Sequence, residues 1–193
     1  MMIEFFLAGL LGYLLGAVPT GVLVCRALRG ADVRQHGSGH TGGLNVSRVA
    51  GFWAGALTAV GDTLLGMAAV AGAALLAENP WSVTAAGAMA VVGHNWSVFA
   101  RFGGGIGLST LTGALLYLSP VLTLAALAGL ALVWLTLVRL LHVHRARSTI
   151  LTMMAVGPLL WALGLPLHAI LLGVLGGAVV IIKTLPDWNR QYG

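Results

Sequence analysis

IEFFLAGLLGYLLGAVPTGVLVC, residues 3–25, is the stretch that decides the fold. A helix needs roughly 20 apolar residues to cross a hydrocarbon core about 30 Å thick, and this run meets that length with no charge beyond Glu4 at its edge. The short leader holds no Lys or Arg, and no separate small-residue cleavage site precedes Arg26, so the run is expected to be a retained first span rather than a cleaved signal peptide. The remainder has the same character. Of 193 residues, 59% are hydrophobic and 8% are charged, and the mean hydropathy is +0.96, values that exclude an ordinary soluble domain and define an integral membrane protein. No nucleic-acid partner is expected, and the lone Cys25 cannot form an intramolecular disulfide.

The ten basic residues fall into clusters: Arg26 to Arg48, Arg101, Arg139 to Arg147, and Lys183 to Arg190. Between them lie three cation-free stretches, 49–100, 102–138 and 148–182. As a single helix, the shortest would run about 50 Å, so each stretch reads as a hairpin of two crossings. Breakers sit at the midpoints: Glu78, Asn79 and Pro80, then Ser119 and Pro120, then Gly164 and Pro166. The fold class expected is therefore an all-α integral membrane protein of seven transmembrane helices.

Because Lys and Arg stay inside, the N-terminus is expected outside and the C-terminus in the cytoplasm. Trp53, Trp96 and Trp188 then fall at the inner interface, Trp81 and Trp161 at the outer one, and Trp134 is left to packing. The fourth helix (about 107–118) and the sixth (about 149–163) are short. Ala8, Gly12 and Gly16, like Gly51, Gly55 and Ala59, recur every fourth residue and let backbones approach closely. No repeat or long linker divides the chain, so 1–193 reads as one membrane-embedded domain.

Chemistry is expected in the polar, glycine-rich loop DVRQHGSGHTGGLNVSR, residues 32–48. Gly37, Gly39, Gly42 and Gly43 expose backbone N–H groups, Ser38 offers a hydroxyl, and Arg34 and Arg48 offer forked guanidinium donors, a mixture that suits phosphate. Arg48 is expected to begin the second helix, adding that helix's positive end. The alternative is that these cations set topology and touch anionic lipid headgroups, which accounts for the charges but not for the four glycines interleaved with Ser38 and Asn45. A second inner loop, GHNWSVFARFGGGIGLST at 93–110, sets His94, Asn95 and Arg101 beside a glycine run. It is neither a Walker loop nor GxGxxG, and a packing turn accounts for it equally well.

Together the loops resemble those of the bacterial acyl-phosphate:glycerol-3-phosphate acyltransferase family of seven-helix inner-membrane enzymes. That family's first motif has a Pro, an Asp-x-Arg and a GSGNxGATNxxR core; here stand Pro19, Asp32, Arg34, Gly37, Ser38, Gly39, Gly42, Asn45 and Arg48. Its second, GHNFPxFxxFxGGKGVAT, is matched by Gly93, His94, Asn95, Phe99, Phe102, Gly104, Gly105, Gly107 and Thr110. Where the family has Asn in the first core this chain has His40, where it has Ala-Thr it has Gly43 and Leu44, and where it has the second-motif Lys it has Ile106. The third motif, HxxNIxRLxxGxExK, aligns with the tail, where Thr184 takes the His position, Asp187 the Asn position and Arg190 the Arg position. The sequence stops at Gly193, before the family's Glu. A carboxylate at Asp187 repels phosphate unless Lys183 or Arg190 neutralises it.

The resemblance implies transfer of a fatty acyl group from acyl phosphate to glycerol-3-phosphate at the cytoplasmic face of the cell membrane, giving lysophosphatidic acid for phospholipid synthesis. Ser38, Arg48 and Asn45 would contact acyl phosphate and the transition state. His94, Asn95, Gly104, Gly105 and Gly107, with Arg34, Gly37, Gly39 and Gly42, would complete the substrate cradles. No cofactor and no metal are expected, and the oligomeric state is open. No Ser-His-Asp grouping is visible in sequence, so Ser38 reads as a hydrogen-bond donor rather than a nucleophile. His94 reads as a general base or as an interfacial hydrogen-bonder. Asp62, inside a helix, is either protonated or met by a donor such as Thr58 or Thr63. His142, His144, Arg145 and Arg147 form a third cationic patch that either compensates for the absent Lys or anchors topology. A catalytically weakened relative that binds acyl phosphate or phospholipid, and a small anion carrier, remain the other classes.

Overall fold

The computed structural model describes residues 2–190; Gly193, the last position of the tail compared above, lies outside them. The first apolar run is not one continuous helix. It forms α1 (Met2–Gly16) and α2 (Thr20–Arg29), interrupted at Ala17, Val18 and Pro19. Pro19 lacks the N–H that would continue the ladder and pushes Val18 out of the helical region, so the chain steps sideways before α2 begins. The chain then makes a short α3 (Gly43–Ala50) and a long α4 (Phe52–Leu76). Arg48 therefore lies in the last turn of α3 and does not begin the long helix, as the sequence reading expected; Gly51, with φ +94°, makes the break between the two.

The three hairpins follow the expected breakers. α5 (Pro80–Asn95) starts with Asn79 accepting from the Trp81 N–H, α7 (Pro120–Leu135) starts after Ser119, and α10 (Leu167–Thr184) starts after Pro166. Between them lie α6 (Leu108–Leu118), α8 (Arg145–Met154) and α9 (Val156–Ala162). Four helical runs are long and apolar enough to cross a membrane: Met2–Arg29, Phe52–Leu76, Pro120–Leu140 and Leu167–Asp187. The 16-residue α5, the 11-residue α6 and the α8/α9 unit are shorter, and α5 spans only about 24 Å.

Close backbone contact holds the bundle, as it must where lipid is as apolar as the helix faces. Gly12 and Gly16 lie directly on the carbonyls of Ala86 and Ala90, leaving no room for a side chain between α1 and α5. Gly55 of α4 receives Gly43 of α3, and Gly66 and Gly113 seat α4 on α6. Val70, Val91, Leu111, Leu160, Leu172 and Val180 form the main core, with α4, α5, α6, α9 and α10 all contributing. A second cluster, Val22, Cys25, Val33, Val46 and Ala54, supports the first polar loop from beneath.

Asp62 is buried, but its donor is neither Thr58 nor Thr63, whose hydroxyls turn back to Ala54 O and Ala59 O of their own helix. Thr20 donates to Asp62 Oδ1 instead, and His94 Nδ1 lies 3.6 Å from the same oxygen. The offset at Pro19 is what brings Thr20 there. Trp134 packs as expected and also donates from Nε1 to Thr149 Oγ1 at 3.2 Å.

Candidate active site

The first polar loop is organised by Asn45. Its Nδ2 donates to the carbonyls of Val33, His36 and His40 at 3.2, 3.0 and 2.9 Å, and its Oδ1 accepts from the Ser38 N–H at 3.1 Å. Gly37 and Gly39, with φ of +56° and +74°, give the reversals that this wrapping requires. Arg34 is equally engaged: Nη2 lies 2.6 Å from Asp32 Oδ2, Nε donates to Asp32 Oδ1, and Nη1 reaches the Ala100 carbonyl at 2.8 Å. Arg34 thus ties the first loop to the second. The Thr41 N–H adds a second tie, to Gly104 O at 3.3 Å.

Donation from Arg34 holds the Asp32 carboxyl well below the usual carboxylate range, helped by the Arg34 N–H and by Arg26 and opposed by burial. Because the folded-state value is depressed, this pairing stabilises the loop above the ordinary carboxylate value and is lost as the pH falls through the acid range. Asp32→Asn is expected to lower the melting temperature of the purified protein by about 2 °C at neutral pH. The gap from wild type should begin to narrow below about pH 4 and go on narrowing as the pH falls further, read from thermal unfolding across that range.

Beneath the tied loops is a cavity of about 250 Å³. Ser38, His40, Gly42, Asn45 and Arg48 form one wall, and Asp62 and His94 lie at its back. Ile106, Gly107 and Ser109 form a second wall, Arg145 and Thr149 a third, and Thr184 and Asp187 close it. The starts of three helices open on this space: α3 at Gly42 and Gly43, α6 at Gly107 and Leu108, and α8 at Arg145 and Ala146. A helix start presents unpaired N–H groups and a partial positive charge, so three starts with Arg48 and Arg145 make a strong anion site. His144 Nδ1 accepts from the Ala146 N–H and caps the third.

Of the residues singled out in sequence, Ser38, Gly42, Asn45, Arg48, His94 and Gly107 line this cavity. Arg34, Gly37, Gly39, Asn95, Gly104 and Gly105 shape it from outside. Gly104 and Gly105 lie flat on the end of α5, where a Cβ on Gly104 would sit 2.6 Å from Asn95 O and one on Gly105 would overlap the His94 ring. Asn95 Nδ2 reaches Val179 O at 3.4 Å, and Lys183 Nζ donates to Asn95 O at 2.6 Å. The Ser38 hydroxyl accepts from the His40 N–H at 3.4 Å; among the described residues no imidazole reaches it.

Sequence reasoning left two features unresolved. Arg145 lines the same cavity as Ile106, and the third cationic patch had signalled it. His40 Nε2 lies 2.6 Å from Asp187 Oδ2, and Arg190 Nη1 lies 3.2 Å from the other oxygen. They are 147 positions apart, and nothing in the linear chain joins His40 to Asp187. Asp187 is thus paired with Arg190, one of the two cations expected, and with His40, while Lys183 Nζ donates to Asn95 O.

A second, apolar cavity of about 410 Å³ runs between α6, α7 and α8/α9, lined among others by Leu111, Leu115, Leu130, Met153 and Val156. Leu108, Trp134 and Thr149 belong to the walls of both cavities. A multi-pass helical membrane protein with a cavity lined by arginines and helix starts, set against an apolar one, is the class that these features define.

Comparison with known proteins gives the family. The glycerol-3-phosphate acyltransferase family model matches residues 6–191, and the chain belongs to that family. It is 43% identical over 173 residues to the glycerol-3-phosphate acyltransferase of Rubrobacter xylanophilus, covering 89% of this chain and 83% of that one. It is 38% identical over 192 residues to that of Rippkaea orientalis, covering 94% and 86%. Among solved structures it is similar to PlsY (YgiH), an integral membrane glycerol 3-phosphate acyltransferase. The glycerol 3-phosphate form gives a TM-score of 0.79 at 28% identity, covering 96% of this chain and 90% of that one. The lysophosphatidic acid form gives 0.78 at 27%, with the same coverage.

Proposed function

We propose that this protein transfers a fatty acyl group from acyl phosphate to the first hydroxyl of glycerol-3-phosphate, giving lysophosphatidic acid and inorganic phosphate. The observation that carries this reading is the shared wall of Leu108, Trp134 and Thr149. It sets a cavity rich in anion donors against an apolar one, as a reaction joining a phosphorylated head to an acyl tail requires. Arg48, Ser38 and the N–H groups at the start of α3 stabilise charge developing on the acyl phosphate. The start of α6 and Arg145 hold the glycerol-3-phosphate head. Phosphate is a competent leaving group, so most of the acceleration comes from positioning and from preorganised donors. Asn45, fully engaged within its loop, acts by holding Ser38 in place.

Seven crossings, with the N-terminus outside and the cavity facing the cytoplasm, fit the same reading. The four long runs, α5, α6 and the α8/α9 unit make up seven. The basic clusters converge at one end of the bundle, through Arg34 on Ala100 O, Lys183 on Asn95 O and Arg147 on Trp188 O. Asp62, the feature that favoured a carrier, accepts from Thr20 and lines the same cavity.

The test is purified protein in lipid, given acyl phosphate and radiolabelled glycerol-3-phosphate. Lysophosphatidate is the expected product. Its formation only from a thioester donor would overturn the assignment of donor, and its absence with every donor would overturn the reaction. Arg145→Ala is expected to raise KM for glycerol-3-phosphate about tenfold or more, the scale of a lost hydrogen bond to a charged group. Adding Ile106→Lys to Arg145→Ala should recover most of that loss, because position 106 faces the same space.

A further inference from the structure

We propose that Leu160, seated on Gly173, sets the length of the acyl chain that this protein transfers. The inference rests on the acyl-transfer reading above and adds to it a residue that selects among donors.

One end of the apolar cavity is the wall that it shares with the anion cavity, made by Leu108 of α6, Trp134 of α7 and Thr149 of α8. The lining residues furthest from that wall along each helix are Leu115, Thr123 and Leu160. They mark the other end. Thr123 Oγ1 donates to Leu115 O at 3.0 Å, which ties α7 to α6 beside their connecting turn at Ser119 and satisfies a buried hydroxyl. Leu160 is 1% exposed and belongs to the main core with Leu111, Leu172 and Val180.

The contact behind Leu160 makes it a stop rather than a soft wall. Gly173 of α10 lies so close that a Cβ there would overlap Leu160 Cδ1 and sit 3.0 Å from Val156 Cγ1. The side chain therefore rests on bare backbone. A tail pressing on it from the cavity meets close-packed protein that does not yield.

Helix geometry gives the dimension. At about 1.5 Å per residue, Trp134 to Thr123 along α7 and Thr149 to Leu160 along α8 and α9 each measure about 16 Å. An alkyl zigzag of bonds about 1.5 Å long advances roughly 1.25 Å per carbon, so these walls take about 13 carbons beyond the shared wall. With the carbonyl at that wall, the chain that fills the cavity has about 14 carbons. A tail entering from the bilayer exchanges one apolar surrounding for another, so added length by itself brings little gain. Selection comes from fit. Past the filling length the tail must displace Leu160, and one methylene too many in an apolar pocket is worth about tenfold or more in kcat/KM.

The experiment gives wild type, Leu160→Ala, Leu160→Val and Gly173→Ala, each purified in lipid vesicles, glycerol-3-phosphate and an equimolar mixture of saturated acyl phosphates. The mixture runs from about 10 to 18 carbons, and the lysophosphatidates are resolved by mass spectrometry, so product ratios report relative kcat/KM. Wild type is expected to peak near about 14 carbons and to fall about tenfold or more beyond the peak. Leu160→Ala opens the far end and should move the peak about two carbons longer. Leu160→Val disturbs the core less and should move it about one carbon the same way. Gly173→Ala pushes Leu160 into the cavity and should move the peak about two carbons shorter. Opposite shifts from a truncation in α9 and an added methyl in α10 are not produced by a general loosening of the fold. A flat wild-type profile, a peak that stays in place in the variants, or a shift of Gly173→Ala in the same direction as Leu160→Val overturns the inference while leaving the acyl-transfer reading intact. A wild type that makes no lysophosphatidate from any chain overturns both.

Discussion

Arg48→Ala is expected to lower kcat/KM for lysophosphatidate formation by about 10²–10³-fold, the range measured when one preorganised donor to a developing negative charge is removed. The guanidinium sits in the last turn of α3, on the same wall as Ser38 and within the field of three helix starts. Such a field is weak in water and stronger in a small cavity, where fewer solvent dipoles compete. Arg48→Lys keeps the charge but loses the two-pronged geometry, so it should recover only part of the rate. Steady-state kinetics with radiolabelled glycerol-3-phosphate measure both. A rate for Arg48→Ala within about threefold of wild type would remove Arg48 from the reaction centre.

Gly104→Ala is expected to be nearly as damaging, although Gly104 does not line the cavity. The added methyl would sit 2.6 Å from Asn95 O and press on the His94 carbonyl, and backbone at the end of a buried helix cannot give way. The second loop must lift, breaking the hydrogen bond from Thr41 to Gly104 O and moving the start of α6. Overpacking of this kind costs about 1–3 kcal/mol, and a displacement of about 1 Å at a reacting centre costs about 10²-fold in rate. The expected result is a melting temperature lowered by about 3–10 °C together with a rate lowered about 100-fold, read by thermal unfolding and by the same assay. A stable variant of normal rate would mean that the loop is not fastened to α5 as described.

Much of this architecture was legible in the linear chain because membrane helices announce themselves by length and their ends by breakers. Asn79 with Pro80, Ser119 with Pro120, and Gly164 with Pro166 all mark turns between helices. The Gly12 and Gly16 spacing foretold a close contact, though not that α5 would supply it. Pro19 was less readable, since a transmembrane helix can carry proline when neighbours satisfy the freed carbonyls, and only the packing shows that this one breaks. The same break moved the partner of Asp62 from its own helix to Thr20. In the first loop, Gly42, Gly43, Ser38 and Arg48 lie on the cavity wall, while Gly37 and Gly39 shape the loop outside it. Composition could not distinguish an arginine facing the cavity from one spent on its neighbours, as Arg34 is on Asp32 and Ala100. The pairing of His40 with Asp187 depends on α10 returning to the first loop, and no local pattern encodes it.

The walls of the anion cavity run from Ser38 near one end of the described chain to Asp187 near the other. During synthesis on the ribosome, the loop bearing Ser38 and Arg48 emerges early, and the segment bearing Arg145 well after it. Asp187 arrives only once α10 has been translated and has entered the bilayer. A nascent chain halted before that point carries guanidinium groups but no closing wall, so the cavity is complete only once α10 is in place.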